Sequence, residues 1–492
     1  MSAVEEILNF INGEWVRSRG GCTAPNYNPA HRRQILNHYQ VSTGEDMSAA
    51  IDAAYAALAG WKSVPAPRRG DIVERAAQLM LERKEAIASA LVQEEGKTLS
   101  EARAEVDRAV ANVKFAASQG YRLGGNFIPS TVPGVMIYTT REPLGVVGAV
   151  TPWNFPVAIP AWKIAPALVS GNTVVLKPAS LTPWTASLVV QCFVDAGLPP
   201  GVLNMVTGPG STVGSVLVDD DRVRAISFTG SNEVGRALYT RAAQRLCKVQ
   251  LEMGGKNPVI VLADADLEAA AEAITVGAFG SSGQRCTATS RVVAVSEVHD
   301  SLLEMVVERA RKLVVGDGLD PTTHVGPLVD ENQLSKVLGY IEAGVAEGAK
   351  LVLDGRELSD GLADEGYFVG PTVFTEVEPS MRIAQEEIFG PVLCFQRAKD
   401  FKQAMELANA VEFGLSSSIY TNDLTLALEY ARRSQAGMLH VNIPTLGGEA
   451  QVPFGGIKGS GLGSRECGEA AFNFFTEEIV VYIQGRVYKA RT

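Results

Sequence analysis

Among the 492 residues, Cys286 has the type and setting that point most directly to covalent chemistry. It sits in GAFGSSGQRCTATSR (277–291), behind a Gly- and Ser-rich loop that lets backbone approach a ligand closely, whereas Cys192 and Cys394 lie within apolar runs. A thiolate attacks carbonyls well, but it needs a base nearby and donors aimed at the oxyanion that forms. None of the five histidines stands in a glycine-rich setting beside another polar candidate, which argues against a Cys-His protease. Glu252, in LEMGGKNP (251–258), is the better-placed base, because a carboxyl in a partly dehydrated cleft has its pKa raised towards neutrality. A solvated glutamate at a helix end fits the same residues equally well. Asn154 lies among rigid neighbours in Pro152-Trp153-Asn154-Phe155-Pro156, where a strand ends; its amide can donate to an oxyanion, or simply form a turn.

Other residues suggest a nucleotide. FTGSNEVG (228–235) reads as a strand end, a Gly-Ser turn and a helix start, with Gly230 and Gly235 bracketing exposed amides that attract phosphate. Its G-x-x-x-x-G spacing differs from the usual dinucleotide fingerprint and is weak alone, and no P-loop lysine follows. GPGSTVG (208–214) offers a second such turn. Lys177 ends a further strand just before Pro178, within reach of a ribose hydroxyl or phosphate; a snorkelling edge lysine is the alternative.

These residues need a frame. Residues 47–60 and 68–119 carry helical periodicity, and 127–140 reads as an extended hairpin. From Leu144 onward, short apolar β-branched runs at 144–151, 172–177, 201–208 and 223–230 alternate with helical stretches at 183–196, 211–219 and 232–247. That alternation predicts a doubly wound parallel sheet. A second series follows, with strands at 257–262, 291–295 and 350–354 and helices at 266–279, 300–313, 332–346 and 401–410. Gly254–Gly255 marks the crossing between the two series, and 471–484 has strand composition suited to pairing with the 127–140 hairpin.

Composition removes several classes. The formal net charge of −11, from 44 basic and 55 acidic residues, argues against broad binding to nucleic acid or anionic membrane. No apolar run reaches the roughly 18 residues a membrane span needs. The six cysteines form no Cys-x-x-Cys pair and no HExxH occurs, so no metal is expected. Met1 to Trp15 lacks a secretory signature, which predicts a cytoplasmic protein.

The stretches 151–178, 228–235, 251–258, 283–288, 386–392 and 453–461 together resemble the NAD(P)-dependent aldehyde dehydrogenase superfamily, in register over essentially the whole chain. The resemblance implies an α/β fold with a Rossmann-type dinucleotide-binding domain (1–124 and 144–254), an α/β catalytic domain (255–462), and a small β oligomerisation flap with the C-terminal segment (125–143 and 463–492). It implies Cys286 as nucleophile, Glu252 as general base, Asn154 with the Cys286 N–H as oxyanion hole, and Lys163 as the lysine of a proton relay to the base. Trp153, Lys177, Ser180, Gly230, Ser231, Gly235, Glu387 and Phe389 would surround the dinucleotide, and Phe155, Trp162 and Phe454 would line the substrate funnel. Members are commonly homodimers or homotetramers.

One position departs from the commoner pattern: after LKPA, where NAD-preferring members carry glutamate, this chain has Ser180. A carboxylate there would repel a 2′-phosphate and a hydroxyl need not, so use of both NAD and NADP is expected, leaning to NADP with Lys177 as phosphate partner. The run REPLGVVGAVTPWNFPVAIPAWKIAPAL (141–168) looks most like the branch that oxidises α-ketoglutaric semialdehyde (2,5-dioxopentanoate). The closing region 440–463 also resembles dehydrogenases of aromatic, succinic or betaine aldehydes. A substrate carboxylate would need a donor: Arg285 is the nearest arginine in sequence to Cys286, but adjacency does not aim its side chain and a structural role suits it better, with the Thr445 hydroxyl or the amides near Gly447 and Gly448 as alternatives. CoA-acylating relatives generally lack the glutamate base, and a crystallin-like binding protein has no need of Cys286, Glu252 and Asn154 together.

Overall fold

The protein is described by a computed structural model covering residues 6–485 apart from Ala363. Residues 1–5, and 486–492 at the end of the expected C-terminal segment, lie outside those described.

Among the described residues the chain opens with five strands, the last and longest His31–Gln40, then a helical layer in which Gly44–Ser63, Ala66–Glu82, Lys84–Glu95 and Leu99–Ser118 follow one another. The periodic stretch from 68 to 119 is three helices with short interruptions between them. The break before the last comes at Gly96, whose φ of 99° ends the third helix in the left-handed region. Thr98 then restarts the chain with a reciprocal capping box to Glu101.

The larger sheet has a parallel centre in the order Lys248–Glu252, Val223–Thr229, Val146–Val150, Thr173–Lys177, Leu203–Met205. Chain direction across it reverses between Val146–Val150 and Val223–Thr229, and such a switch opens a crevice at the C-terminal strand ends. The strand Lys248–Glu252 corrects the expectation of a helix through 232–247 leading into Glu252. The helix stops at Ala243, and Glu252 ends a buried strand.

The second sheet has seven strands, and only its edge strand Lys350–Leu353 runs antiparallel. Four of its strands, Thr372–Thr375, Val392–Ala398, Ser416–Tyr420 and Met438–Val441, escape the sequence reading. The first two are short buried runs indistinguishable by period from helix segments, the third opens with three serines, and the last has only four residues and is half-exposed. Gly254 and Gly255 lie between the last parallel strand of one sheet and Asn257–Val261 of the other.

A separate ribbon forms from Phe127–Ile128, Val135–Pro143 and Thr476–Gln484, with Thr476 opposite Pro143 and Gln484 opposite Val135. The expected pairing of the last strand with the hairpin is present. Its first part, expected as strand, is instead the helix Gly468–Phe475, which buries Ala471, Phe472, Phe474 and Phe475 against the core. Among the described residues no helix is long and apolar enough to cross a membrane.

Candidate active site

Cys286 is delivered by a strained loop. After the helix Leu267–Phe279, Ser281, Ser282 and Gly283 all have positive φ (49°, 54° and 68°). Non-glycine residues avoid that region, so surrounding bonds must hold them there. Glu101 accepts from the Ser281 N–H at 2.6 Å, Ser282 Oγ donates to the Gly326 carbonyl at 2.7 Å, and Gln284 Oε1 accepts from the Val329 N–H at 3.0 Å. Asn257 Nδ2 donates to the Cys286 carbonyl at 2.8 Å, and that carbonyl lies so near Gly255 that a Cβ there would sit 2.6 Å from it. The thiol opens onto a crevice, yet protein surrounds it closely enough that burial, with the Glu387 and Glu252 carboxyls, pushes its pKa up to about 12.

Asn154 lines the same crevice, just beyond the strand Val146–Val150. It forms no local turn through its side chain. Its Nδ2 donates instead to the Gln284 carbonyl at 3.0 Å, 130 residues away and two residues before Cys286. A movable amide donor and a thiol therefore share one concave surface, the arrangement needed to hold an oxyanion on a carbon bonded to sulfur.

Glu252 is 2% exposed and stands behind that surface, its Oε2 accepting from the Gly456 N–H at 3.2 Å. Burial, then the neighbouring Glu466 carboxylate, raise its pKa well above the ordinary carboxylate range. Glu466, missed in the sequence, is the hub: Lys163 pairs with it, Trp162 Nε1 donates to it at 2.9 Å, and Lys163 also donates to Ser227 Oγ at 2.8 Å. Ser227 passes its hydroxyl hydrogen to Gln250 at 2.8 Å. No local pattern marks Glu466, because it reaches Lys163 from 303 residues away.

The aromatic residues form a box. Trp162 and Phe454 rings lie 5.7 Å apart, with the Arg108 guanidinium 5.2 Å from the first and 5.8 Å from the second. Among the described residues Arg108 Nε is buried without a hydrogen-bond partner, and the Arg108 charge acts to lower the Cys286 pKa. Sequence reasoning did not single out Arg108. It also lies against Gly448, where a Cβ would overlap it.

The other two carboxylate candidates are corrected. Arg285 turns away from the crevice to Glu101, at 3.2 Å, and to Ser281 Oγ, at 2.9 Å. Thr445 is fully buried, its hydroxyl shared with Thr289 and the Thr287 carbonyl, each at 2.8 Å. Phe155 faces inward, with the Lys97 ammonium 4.3 Å from its ring.

Trp153, Gly230, Ser231, Glu387 and Phe389 line the crevice with Cys286, on the strand-end side. Trp153 meets Phe389 edge-to-face at 5.3 Å, and Phe389 is held at a φ of 61° by Gln333, which donates to its carbonyl at 2.7 Å. Glu387 accepts from the Gly255 N–H at 2.8 Å, and a Cβ at Gly254 would overlap its carboxylate. Gly235 takes no part in the lining. It lets the helix Asn232–Ala243 pack on the sheet, since a Cβ would lie 2.6 Å from Met253 Sδ.

Lys177 lines a second cleft with Gly210, Gly214, Glu233 and Arg241. Burial lowers its pKa to about 8, and its ammonium donates to the Pro178 carbonyl at 2.7 Å. Ser180 donates to the Gly208 carbonyl at 3.2 Å. Arg241, a cation the sequence reading overlooked, is tied there to Asp219 and to Ser215 Oγ. Two clefts at the ends of the parallel strands, a glycine cradle and a Ser-capped helix start fit an extended dinucleotide.

Comparisons with known proteins agree with this geometry. The sequence model of the aldehyde dehydrogenase family matches residues 15–481. α-Ketoglutaric semialdehyde dehydrogenase of Bacillus subtilis is 47% identical over 98% of this chain and 100% of its own. The structure of betaine aldehyde dehydrogenase from Staphylococcus aureus in complex with NAD+ superposes with a TM-score of 0.95 at 33% identity, covering 98% of this chain and 95% of that one. An Escherichia coli NADP-dependent enzyme gives 0.95 at 35% identity, covering 98% and 99%.

Proposed function

The chain belongs to the aldehyde dehydrogenase family and is an NAD(P)-dependent, non-acylating enzyme; we propose that its substrate is α-ketoglutaric semialdehyde, oxidised at Cys286. The observation that carries the substrate reading is the free, half-buried guanidinium of Arg108 above the Trp162–Phe454 pair. A carboxylate at the far end of an aldehyde would supply the partner that Arg108 Nε lacks, with charge-assisted hydrogen bonds. The Bacillus subtilis relative bears the name of the same substrate.

In this reading Cys286 gives its proton to Glu252, which hands it on to the Glu466 carboxylate, and the thiolate attacks the aldehyde carbon, forming a thiohemiacetal. Its oxyanion is held by Asn154 Nδ2 and the Cys286 N–H. The dinucleotide, when bound, supplies the hydride acceptor. Cys286 is then left as a thioester, and Glu252, again a carboxylate, takes a proton from water as that water attacks the acyl carbon, releasing the acid and the Cys286 thiolate. The proton left on Glu252 passes to the Glu466 carboxylate, which Lys163 pairs with while bonding Ser227. Trp153, Gly230, Ser231, Glu387 and Phe389 would hold the nicotinamide end, and Lys177, Ser180 and Arg241 the adenosine end. With no carboxylate at Ser180, both NAD and NADP are accepted, leaning to NADP.

The accompanying division of labour is a dinucleotide-binding unit of 1–124 and 144–254, a catalytic unit of 255–462, and a flap from 125–143 and 463–492. The enzyme is a cytoplasmic homodimer or homotetramer in this proposal.

The test is kcat/KM for α-ketoglutaric semialdehyde, succinic semialdehyde, benzaldehyde and hexanal, with each cofactor, in the native enzyme and in Arg108→Met. The dioxo acid should lead by at least about tenfold, and Arg108→Met should erase that lead while sparing hexanal. Benzaldehyde or hexanal leading in the native enzyme would replace this reading with a broad or aromatic specificity. Dehydrogenase turnover surviving in Cys286→Ala would remove the nucleophile assignment.

A further inference from the structure

The helix Leu99–Ser118 begins behind the active site with an unusual concentration of buried charge. Lys97 is 2% exposed, Glu95 is fully buried and Glu105 is 2% exposed. Burial pulls the Lys97 ammonium down, but Glu105 and Glu95 outweigh it and hold the pKa above its ordinary value. Such a cluster is poor value as stabilisation, since well-packed apolar side chains of the same size commonly do as well or better. What apolar side chains cannot do is make directed bonds to chosen backbone atoms.

These charges make such bonds, and the bonds run to both halves of the oxyanion hole. Lys97 Nζ donates to the Asn154 carbonyl at 2.8 Å and to Glu105 at 2.6 Å. The other oxygen of Glu105 accepts from the N–H groups of Val157, at 2.9 Å, and Ala158, at 3.1 Å, where the helix bearing Trp162 and Lys163 begins. On the other side, Glu101 completes the capping box with Thr98 through one oxygen. Through its second oxygen it accepts from Ser281 N–H and from Arg285, fixing the positive-φ loop that ends at Cys286.

We propose that Lys97, Glu105 and Glu101 are positioning residues that set the spacing of the oxyanion hole, tying the Asn154 segment and the Cys286 loop to one helix start. The inference rests on the reading of Asn154 and Cys286 N–H as that hole. Lys97 acts through the Asn154 carbonyl, and Glu105 through Lys97 and the amides of Val157 and Ala158 in the segment that follows Asn154. Glu101 acts through the Cys286 loop.

The test is a double-mutant cycle in the full-length enzyme. The paired variant Lys97→Met/Glu105→Gln removes one charge of each sign, and is made both in the native background and in Asn154→Ala. Expected in the native background is a loss of about 10- to 100-fold in kcat for aldehyde oxidation, with the dissociation constants for NAD and NADP within about twofold. In the Asn154→Ala background the same pair should cost less than about threefold, because the donor it positions is gone. An equal loss in both backgrounds, or no loss in either, would overturn the proposal. Full activity in Asn154→Ala alone would instead remove the oxyanion-hole reading beneath it. Should the paired variant fail to fold, Glu101→Gln provides the same comparison from the other side. It should lower kcat about tenfold with an unchanged dinucleotide affinity, and an unchanged kcat would overturn the proposal.

Discussion

With a pKa near 12, the Cys286 thiol is protonated at neutral pH, so its activation depends on the groups around it. The carboxyl of Glu252 is matched to this work by its surroundings. Burial and Glu466 hold its pKa well above the ordinary carboxylate range, so it is a stronger base than a surface glutamate once it has lost its proton. Because the pKa is raised, the competent form accumulates as pH rises through that value, and kcat should climb on the same limb. Glu252→Gln should lower kcat by about 100-fold or more and flatten that limb, measured as steady-state NAD(P)H formation across pH. A burst of one equivalent per site would place the arrest at the thioester; undiminished turnover would remove Glu252 from the chemistry. In the proposed adenosine end of the cofactor site, Ser180 is half-buried, donates to the Gly208 carbonyl and is a hydrogen-bond neighbour of the Tyr39 hydroxyl. Ser180→Glu should move the kcat/KM ratio towards NAD by about tenfold or more, because a carboxylate gains a ribose hydroxyl and repels a 2′-phosphate. An unchanged ratio would show that Ser180 does not face the ribose.

Strand ends and loop anchors, rather than the catalytic side chains themselves, account for how those side chains meet. The crossing at Gly255 is one such anchor: its N–H holds Glu387, and its missing Cβ leaves room for the Cys286 carbonyl. Gly255→Ala would press a methyl to 2.6 Å from that oxygen and 2.8 Å from Asn257 Oδ1. It should cost about 1–3 kcal/mol of stability by thermal unfolding and lower kcat more than about tenfold, while sparing dinucleotide affinity. Unaltered kcat would mean that the nucleophile tolerates a shifted backbone. Cys286, Asn154 and Glu252 were legible because each stands beside glycines or prolines in a short, distinctive run. Glu466, Arg108, Lys97 and Asn257 were not, because each lies on an ordinary stretch of helix, strand or loop and gains meaning only from partners far along the chain. Adjacency to Cys286 in sequence does not aim the Arg285 side chain, and Glu101 claims its guanidinium.

On the scale of the whole molecule, the alternation of strands and helices made the first parallel sheet and the start of the second readable. Of the later strands of the second sheet, Thr372–Thr375 and Val392–Ala398 were hidden by the shortness and apolar character that let them be buried on both faces, Ser416–Tyr420 by its opening serines, and Met438–Val441 by its length of four residues. The ribbon of Phe127–Ile128, Val135–Pro143 and Thr476–Gln484 is the part of the structure least explained by the chain's own packing. Phe127, Val480 and Tyr482 are exposed at 71%, 49% and 69%, and Ile479 and Ile483 flank them on the same strand. Thr476–Gln484 is also an edge strand, presenting unpaired backbone groups beside that apolar surface. A free edge of this kind invites pairing with another chain, and proteins that leave one uncharged generally cover it. In the homo-oligomer proposed above, the ribbon would lie in the interface between copies of this chain. Val480→Lys together with Tyr482→Lys would place two charges in that interface without touching the crevice. Light scattering on a sizing column should then report a smaller assembly than the native enzyme at micromolar concentration. An assembly of native size in the double variant would show that the ribbon is not what joins the subunits.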